Sequence, residues 1–358
     1  MSGIKEYIKR MLRNLVGATE IMQKHDTLLE VYCALLQEAK VMQQKLTNAL
    51  QEKYIASQQE RRDLQDTIAG LLQEKYTASQ QERQAAQQEI VRNQIFARWR
   101  ILDAIEPIVY SPDQEISCRI CGHSAPLKTF EKKVSFCIFN GGRLERYVCP
   151  QCGCIFGPLK MYLMPPEELN AEYHQHYSVF SEGNSLESEL AAFEQVDQGK
   201  ENKIYLNFGA GIWSGTSKLL REQGYTVYDY EPGVNASSNE YFITNKVDLE
   251  KYRFDGIFSN DLIEHLYDPI QELTFMKTLL AAPTAKMAHA TGCCDYAYEF
   301  TRFHLFFYTG SSLECLVKKL GMKYKMIRME SHLNTHFKIV IFSSNDFPDM
   351  ANNKFKKH

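Results

Sequence analysis

The sequence predicts an α/β sheet domain at its C-terminal end, a small four-cysteine metal module before it, and a long N-terminal α-helical coiled coil. Three observations predict this layout. All 11 prolines fall at or beyond Pro107. Two CxxC pairs flank 27 intervening residues. From Lys203 onward, short apolar runs alternate with helical segments around a glycine loop, as an α/β sheet requires. The implied divisions are residues 1–106, 107–165 and 166–345, with a polar tail over 346–358.

The first element rests on the missing prolines. Proline removes a backbone donor and clashes with the preceding turn, so a long proline-free stretch favours extended helix. Residues 43–94 are rich in Gln, Glu, Lys, Arg, Ala and Leu, all good helix formers. Within them Leu50–Arg61, LQEKYIASQQER, recurs as Leu72–Arg83, LQEKYTASQQER, an offset of 22 residues or two units of 11. An 11-residue period gives about 3.67 residues per turn, so the apolar seam drifts little and supercoils weakly right-handed. Leu46 and Ile68, Leu50 and Leu72, and Tyr54 and Tyr76 are equivalent pairs in the repeat. A sparse seam with polar remaining faces suits a coiled coil, and therefore a homo-oligomer. An unbroken helix over residues 18–105 would reach about 130 Å. A hairpin folded at Gly70 is the competing arrangement.

At the N-terminus, Ile4, Ile8, Met11 and Leu15 share one helical face, flanked by Lys5, Lys9, Arg10 and Arg13. Such a helix can lie on an anionic membrane or pack on the stalk. Elsewhere no apolar run reaches the roughly 18–20 residues needed to span a bilayer, and the first residues lack a secretion signal. A cytoplasmic protein is expected, peripheral at the inner face of a membrane if residues 1–16 bind lipid. The formal net charge is -3 and hydrophobic residues make up 44%, which argues against wholesale disorder and against a basic grip on nucleic acid.

The metal module rests on Cys118-Arg-Ile-Cys121 and Cys149-Pro-Gln-Cys152. Each CxxC turn can aim two thiolates at one tetrahedral metal, and two turns complete a closed structural zinc site. Gly122 and Gly153 each follow the second cysteine of a pair, where the turn is tight. The intervening residues can hold a short β-hairpin. Cys154 is a substitute ligand with poorer spacing, Cys137 reads as core, and Cys33, Cys293, Cys294 and Cys315 have no ligand spacing.

The sheet domain opens on Ile204–Phe208 as a first buried strand, followed by Gly209-Ala210-Gly211 and a helix-like segment over Ser217–Gln223. The next strand, Tyr225–Tyr230, ends at Glu231, 20 residues after Gly211. Glycines after a strand let backbone approach a ligand, and an acid ending the next strand can bind ribose hydroxyls. The dinucleotide GxGxxG pattern is not met, because Gly215 falls one residue late.

Phe254–Asp261 suggests a fourth strand, followed by Leu262-Ile-Glu264-His265-Leu-Tyr-Asp268-Pro269. This stretch resembles the FD…EH…DP segment of class I S-adenosylmethionine-dependent methyltransferases. The similarity extends over about residues 165–345 and takes in the Asn207–Gly211 loop, Glu231, Asp248-Leu249, and the late segment His304–Tyr308 with its following helix. The upstream CxxC pairs, with the Tyr/His-rich link Glu172–Tyr177, further resemble bacterial sugar methyltransferases that carry an N-terminal zinc-binding domain.

The resemblance implies a Rossmann-like methyltransferase domain that uses S-adenosylmethionine and structural zinc. Its implied acceptor is a sugar, a nucleotide-sugar or a surface glycan. Gly209 and Gly211 would let the loop pass the methionine part of the cofactor. Glu231 would accept hydrogen bonds from both ribose hydroxyls, Asp248 would lie near the adenine, and Asn260 and Asp261 would line the cleft. The implied catalytic set is His265, His304 and Glu264, with His174, His176 and Tyr177 reaching over the acceptor. Two residues depart from the family pattern. Asn207 stands where an acid is usual, and Trp213 where a small glycine is common. They leave open an alternative, a catalytically inactive scaffold organising a glycan-biosynthesis assembly.

Overall fold

In the computed structural model the described residues are 3–6, 19–180, 185–211, 214–232, 240–330 and 336–347, with the side chains of 19–27, Glu330 and His336 excepted. Most of the N-terminal basic segment, Trp213 and most of the polar tail lie outside them. The chain forms two compact units, Met1–Ala86 and Gln87–His358.

One helix, α1 (Thr19–Val109), supplies the first unit and continues into the second. It passes through Gly70 unbroken, so the hairpin does not form. Leu46, Leu50, Tyr54, Ile68, Leu72 and Tyr76, the equivalent repeat positions, are all exposed. None of the described helices is long and apolar enough to cross a membrane.

Within the second unit, the end of α1 buries Ile95, Trp99 and Leu102. Asp103, on the same face, accepts from the buried Lys160 at 2.7 Å and from Arg302 at 2.9 Å. A small antiparallel pair follows, β1 (Glu115–Ser117) with β2 (Ser124–Pro126). Next comes the expected hairpin between the CxxC pairs, β3 (Glu131–Phe136) with β4 (Arg143–Val148), then β5 (Ile155–Phe156). Cys137, at the hairpin's turn, is buried.

After α2 (Pro166–Tyr177) and α3 (Leu186–Val196), the chain enters the main sheet at β6 (Ile204–Phe208). Then come α4 (Gly215–Glu222), β7 (Thr226–Tyr230), β8 (Phe242–Ile243), α5 (Lys246–Leu249), β9 (Gly256–Asn260), α6 (Pro269–Thr278) and β10 (Lys286–Thr291). The chain closes with β11 (Phe306–Phe307), α7 (Ser312–Leu320), β12 (Lys323–Glu330) and β13 (His336–Ser343). The sheet has seven strands in the order β8-β7-β6-β9-β10-β13-β12. The five strands from β8 to β10 are parallel, and β13 and β12 form an antiparallel hairpin at the edge.

Parallel strands are covered on both faces, which is why they read as apolar runs: Tyr205, Leu206, Val227, Ile257, Phe258, Met287 and Ala288 are all fully buried. The strand order reverses between β6 and β9. In open α/β sheets that switch point places a ligand crevice beyond the carboxyl ends of the two strands. β11 leaves this half of the chain altogether. It pairs antiparallel with β5, giving a four-stranded sheet β11-β5-β4-β3 that joins the cysteine-bearing segment to the α/β segment.

Candidate functional site

The two CxxC turns repeat one backbone pattern. The Cys118 amide bonds His123 O and the Gly122 amide bonds Cys118 O, each at 2.8 Å. In the second turn the Cys149 amide bonds Cys154 O and the Gly153 amide bonds Cys149 O, again at 2.8 Å. The four sulfurs of Cys118, Cys121, Cys149 and Cys152 lie within 4.8 Å of one another. Cys118 and Cys152 stand 3.8 Å apart, and Cys121 and Cys149 3.5 Å. Thiolates at about 2.3 Å around a tetrahedral zinc would stand about 3.8 Å apart, so the donor set fits a closed four-coordinate ion. The site can hold a metal. Cys154 is buried, with its sulfur 3.8 Å from Ile155 O, and is not one of the four.

This metal site is built against the α/β half. The Ser311 amide bonds Cys152 O at 2.8 Å, and Thr309 Oγ1 bonds Gly153 O at 2.5 Å. A Cβ on Gly153 would come 2.9 Å from the Gly310 backbone, so only glycine permits that approach. Arg119, between the first two cysteines, lies over the Tyr162 and Tyr267 rings at 4.2 and 4.5 Å.

Arg146 on β4 is fully buried. It donates to Gly157 O, His304 O, Glu299 O, Thr301 O and Ser135 Oγ at 2.6–3.2 Å. Its replacement by methionine would keep the bulk and orphan several carbonyls of the 299–304 segment. An urea titration of Arg146→Met should show about 3 kcal/mol or more of lost stability, since each buried orphan costs about 1–3 kcal/mol. A loss under about 1 kcal/mol would show that the guanidinium is not what holds the segment.

At the sheet's switch point, Gly209 and Gly211 both have positive φ, +78° and +67°, and Gly209 packs on Leu262 from the β9 side. The Gly211 amide donates to Glu231 Oε2 at 2.9 Å, tying the glycine loop to the acid at the end of β7. His174 on α2 meets the other carboxylate oxygen, Oε1, at 3.2 Å. Asn260 and Asp261 sit at the carboxyl end of β9, with Asn260 Nδ2 donating to Asp261 Oδ2 at 2.8 Å. Asp248 lies on α5, beyond β8, where its carboxylate meets Lys251 at 2.5 Å. Asn207 turns inward: its Nδ2 donates to Glu189 Oε2 at 3.3 Å and to Ser214 Oγ at 3.1 Å. Glu189, from α3, also accepts from Ser214 Oγ at 3.0 Å. A buried carboxylate therefore stands beside the amide that occupies the family's acidic position.

Beyond the glycine loop lies a second cluster. One ligand atom each from Glu264, His265 and His304 fall within 4.8 Å of one another. Glu264 is fully buried and accepts from Thr291 Oγ1 at 2.6 Å. Burial first, and then neighbouring Asp261, push its carboxyl up to about 8. His265 Nδ1 meets Phe303 O at 2.9 Å, and burial pulls its pKa down to about 4. His304 Nδ1 meets Tyr298 O at 2.7 Å, and burial, followed by the nearby His265, holds it well below the usual histidine range. Both shifts favour the neutral ring. A carbonyl at Nδ1 places the proton there and leaves each Nε2 with its lone pair.

Helix α2 reaches this cluster through Tyr173, whose ring lies 5.1 Å from that of His265 and 4.7 Å from that of Tyr177. His176 instead sits among aromatic rings, with Phe139 and Phe180 each at 4.5 Å and Trp99 at 5.5 Å. Neither of its nitrogens has a hydrogen-bond partner among the described residues. Burial draws its pKa down to about 4. Sequence reasoning passed over Tyr173, Thr291 and Glu189. Tyr173 lay inside a segment already noted for its Tyr/His content, whereas nothing near Thr291 or Glu189 in sequence marks them.

The family model of a methyltransferase domain matches residues 184–327. That segment is similar to a methyltransferase domain. The matched segment holds the glycine loop, Glu231 and the Glu264–His265–His304 cluster. No curated protein matches the chain. Among solved structures, a phosphoethanolamine N-methyltransferase 2 from Haemonchus contortus is 14% identical, with 51% of this chain and 59% of that chain covered at a TM-score of 0.34. An S-adenosylmethionine-dependent methyltransferase from Archaeoglobus fulgidus is 13% identical, covering 48% of this chain and 99% of that one at a TM-score of 0.36. A third, from Mesorhizobium loti, is 14% identical over 43% of this chain and 96% of that one, at 0.33. The chain thus spans 59% of the length of the Haemonchus enzyme.

Proposed function

We propose that the chain is an S-adenosylmethionine-dependent methyltransferase acting on a sugar, a nucleotide-sugar or a surface glycan, with zinc in its four-cysteine site and with self-association through the helical repeat. The observation that carries the cofactor site is the Gly211–Glu231 hydrogen bond, which shapes the crevice at the β6/β9 switch point. When bound there, S-adenosylmethionine supplies an electrophilic methyl group. Glu231 accepts from the ribose hydroxyls, the Gly209–Gly211 backbone follows the methionine part, and Asp248, Asn260 and Asp261 complete the rim. His265 and His304, whose burial favours the neutral ring, are the groups able to take a proton from a hydroxyl or an activated carbon. Tyr173 and Tyr177 offer the flat surface and hydroxyls that a sugar ring suits.

Support for a sugar-type acceptor comes from the cysteine module, which is braced through Arg146 and Thr309 against the segment bearing His304. Isotope-labelled S-adenosylmethionine offered with a panel of nucleotide-sugars tests this. Label in a sugar product supports it. Label that appears only with phosphoethanolamine or a peptide would move the acceptor class.

An inactive scaffold would draw its support from Asn207. Glu189 weakens that case, because it returns a carboxylate within 3.3 Å of the amide. Glu189→Gln should therefore weaken S-adenosylmethionine binding about ten-fold, the effect of roughly 1.4 kcal/mol, in calorimetry. Unchanged affinity would show that Glu189 serves Asn207 and Ser214 alone.

The exposed repeat positions on α1 support self-association. Leu50 and Leu72 are 60% and 62% exposed, an apolar face that a second copy of the helix would cover. Light scattering on the full chain should give a multimer, and Leu50→Glu with Leu72→Glu should shift it toward monomer. A monomer at all concentrations would remove the coiled coil.

A further inference from the structure

We propose that Glu264, His265 and His304 form a second metal site, distinct from the four cysteines, for a divalent transition ion with open positions for oxygen ligands. The three donors come from different places in the chain. Glu264 and His265 follow β9, and His304 precedes β11, yet one ligand atom of each lies within 4.8 Å of the others. Two imidazoles and one carboxylate on one side of an ion suit zinc, iron(II), cobalt(II) or nickel(II), and leave coordination positions open.

The surroundings are those a metal ligand needs. Metal-bound histidines commonly donate their second N–H to a carbonyl, which fixes the tautomer and aims the lone pair. Both rings do so here, His265 to Phe303 O and His304 to Tyr298 O. The ligating carboxylate is oriented in the same way, by Thr291 Oγ1 on Glu264 Oε1, and Thr291 is held in turn by the Cys293 amide at 2.9 Å.

An independent observation points to a ligand. Glu264 is fully buried, and its Oε2 has no hydrogen-bond partner among the described residues. A buried carboxylate oxygen without a partner is costly, and either a proton or a cation must meet it. The Cys293 thiol lies beside the carboxyl but is only a weak donor and acceptor. A cation would be met by a nitrogen of each imidazole as well, which a proton would not be, so the neighbours favour the cation. The open positions would then face the acceptor crevice, and oxygen pairs such as a vicinal diol are the ligand chemistry that fits.

Metal ligation and proton acceptance are alternative uses of the same lone pairs, so the proposal leans on the methyl-transfer assignment only for the identity of the oxygen ligand. The test uses the full chain with its four-cysteine site filled by zinc, and cobalt(II) as the probe. The visible spectrum should show one added equivalent with the weak d–d bands of nitrogen and oxygen ligation, without sulfur-to-cobalt charge-transfer bands. His304→Ala and the isosteric Glu264→Gln should each weaken uptake at least ten-fold while near-ultraviolet circular dichroism stays that of the parent. S-adenosylmethionine affinity, measured on the same samples, reports the cofactor site separately. No cobalt uptake, uptake with sulfur bands only, or uptake indifferent to both substitutions would overturn the second metal site while leaving the methyltransferase assignment untouched.

Discussion

Glu231→Ala should reduce S-adenosylmethionine affinity by about 10²- to 10³-fold, the largest effect expected of any single substitution around the crevice. The carboxylate has two tasks. One oxygen holds the Gly211 amide at 2.9 Å and so keeps the glycine loop in its positive-φ course. Its place at the end of β7 also puts it where ribose hydroxyls would donate. Hydrogen bonds to a charged partner contribute about 1.5–3 kcal/mol each, and two of them near the low end of that range amount to the fold-change quoted. Glu231→Gln retains one acceptor oxygen and should lose about ten-fold. Calorimetry on the three proteins decides the matter. Affinity that survives the alanine substitution would place the ribose elsewhere.

How much of this was legible in the sequence depends on which distances decide a feature. The Gly211–Glu231 pair is local to one strand-turn-helix-strand unit, so its 20-residue spacing already implied it. β6 occupies the very residues expected of the first strand, Ile204–Phe208, because a doubly covered parallel strand is an uninterrupted apolar run. The four cysteines were readable because the CxxC turn is itself the ligand geometry. Contacts across the chain were not. Glu189 precedes Asn207 by 18 residues and lies on a helix while Asn207 lies on β6, and a Glu on an amphipathic helix normally reads as a solvated face. Its burial follows from how α3 covers the sheet. β11 was equally hidden: Phe306 and Phe307 look like core residues of the α/β domain, yet their backbone pairs with β5 in the cysteine-bearing sheet. Two-residue strands carry no periodicity from which to foresee a partner. Trp213, which stands where a small glycine is common, lies outside the described residues.

That shared sheet makes the four-cysteine site a matter of activity as well as stability, which is the second large effect. Cys149→Ser should abolish tight zinc binding and lower the melting temperature by about 10–20 °C, taking roughly 5 kcal/mol as the loss when a closed thiolate site opens. One absent ligand releases both turns, because Cys149 and Cys152 share a turn and the Ser311 amide and Thr309 hydroxyl bond the backbone of Cys152 and Gly153. Those bonds anchor the start of α7 just after His304–Tyr308, and Arg146 on β4 holds His304 O itself. Methyl transfer should therefore fall with the zinc, although none of the four cysteines is among the crevice residues named above, while S-adenosylmethionine binding at Glu231 should suffer less at temperatures where the chain stays folded. Cys315→Ser is the control: Cys315 stands on α7 outside the group of four and should leave metal content and melting unchanged. Metal analysis beside a thermal melt separates the outcomes. A Cys149→Ser protein that loses its zinc but melts like the parent would mean the four-stranded sheet holds the module without the ion. One that keeps its zinc would point to Cys154, buried and five residues away, as the replacement ligand.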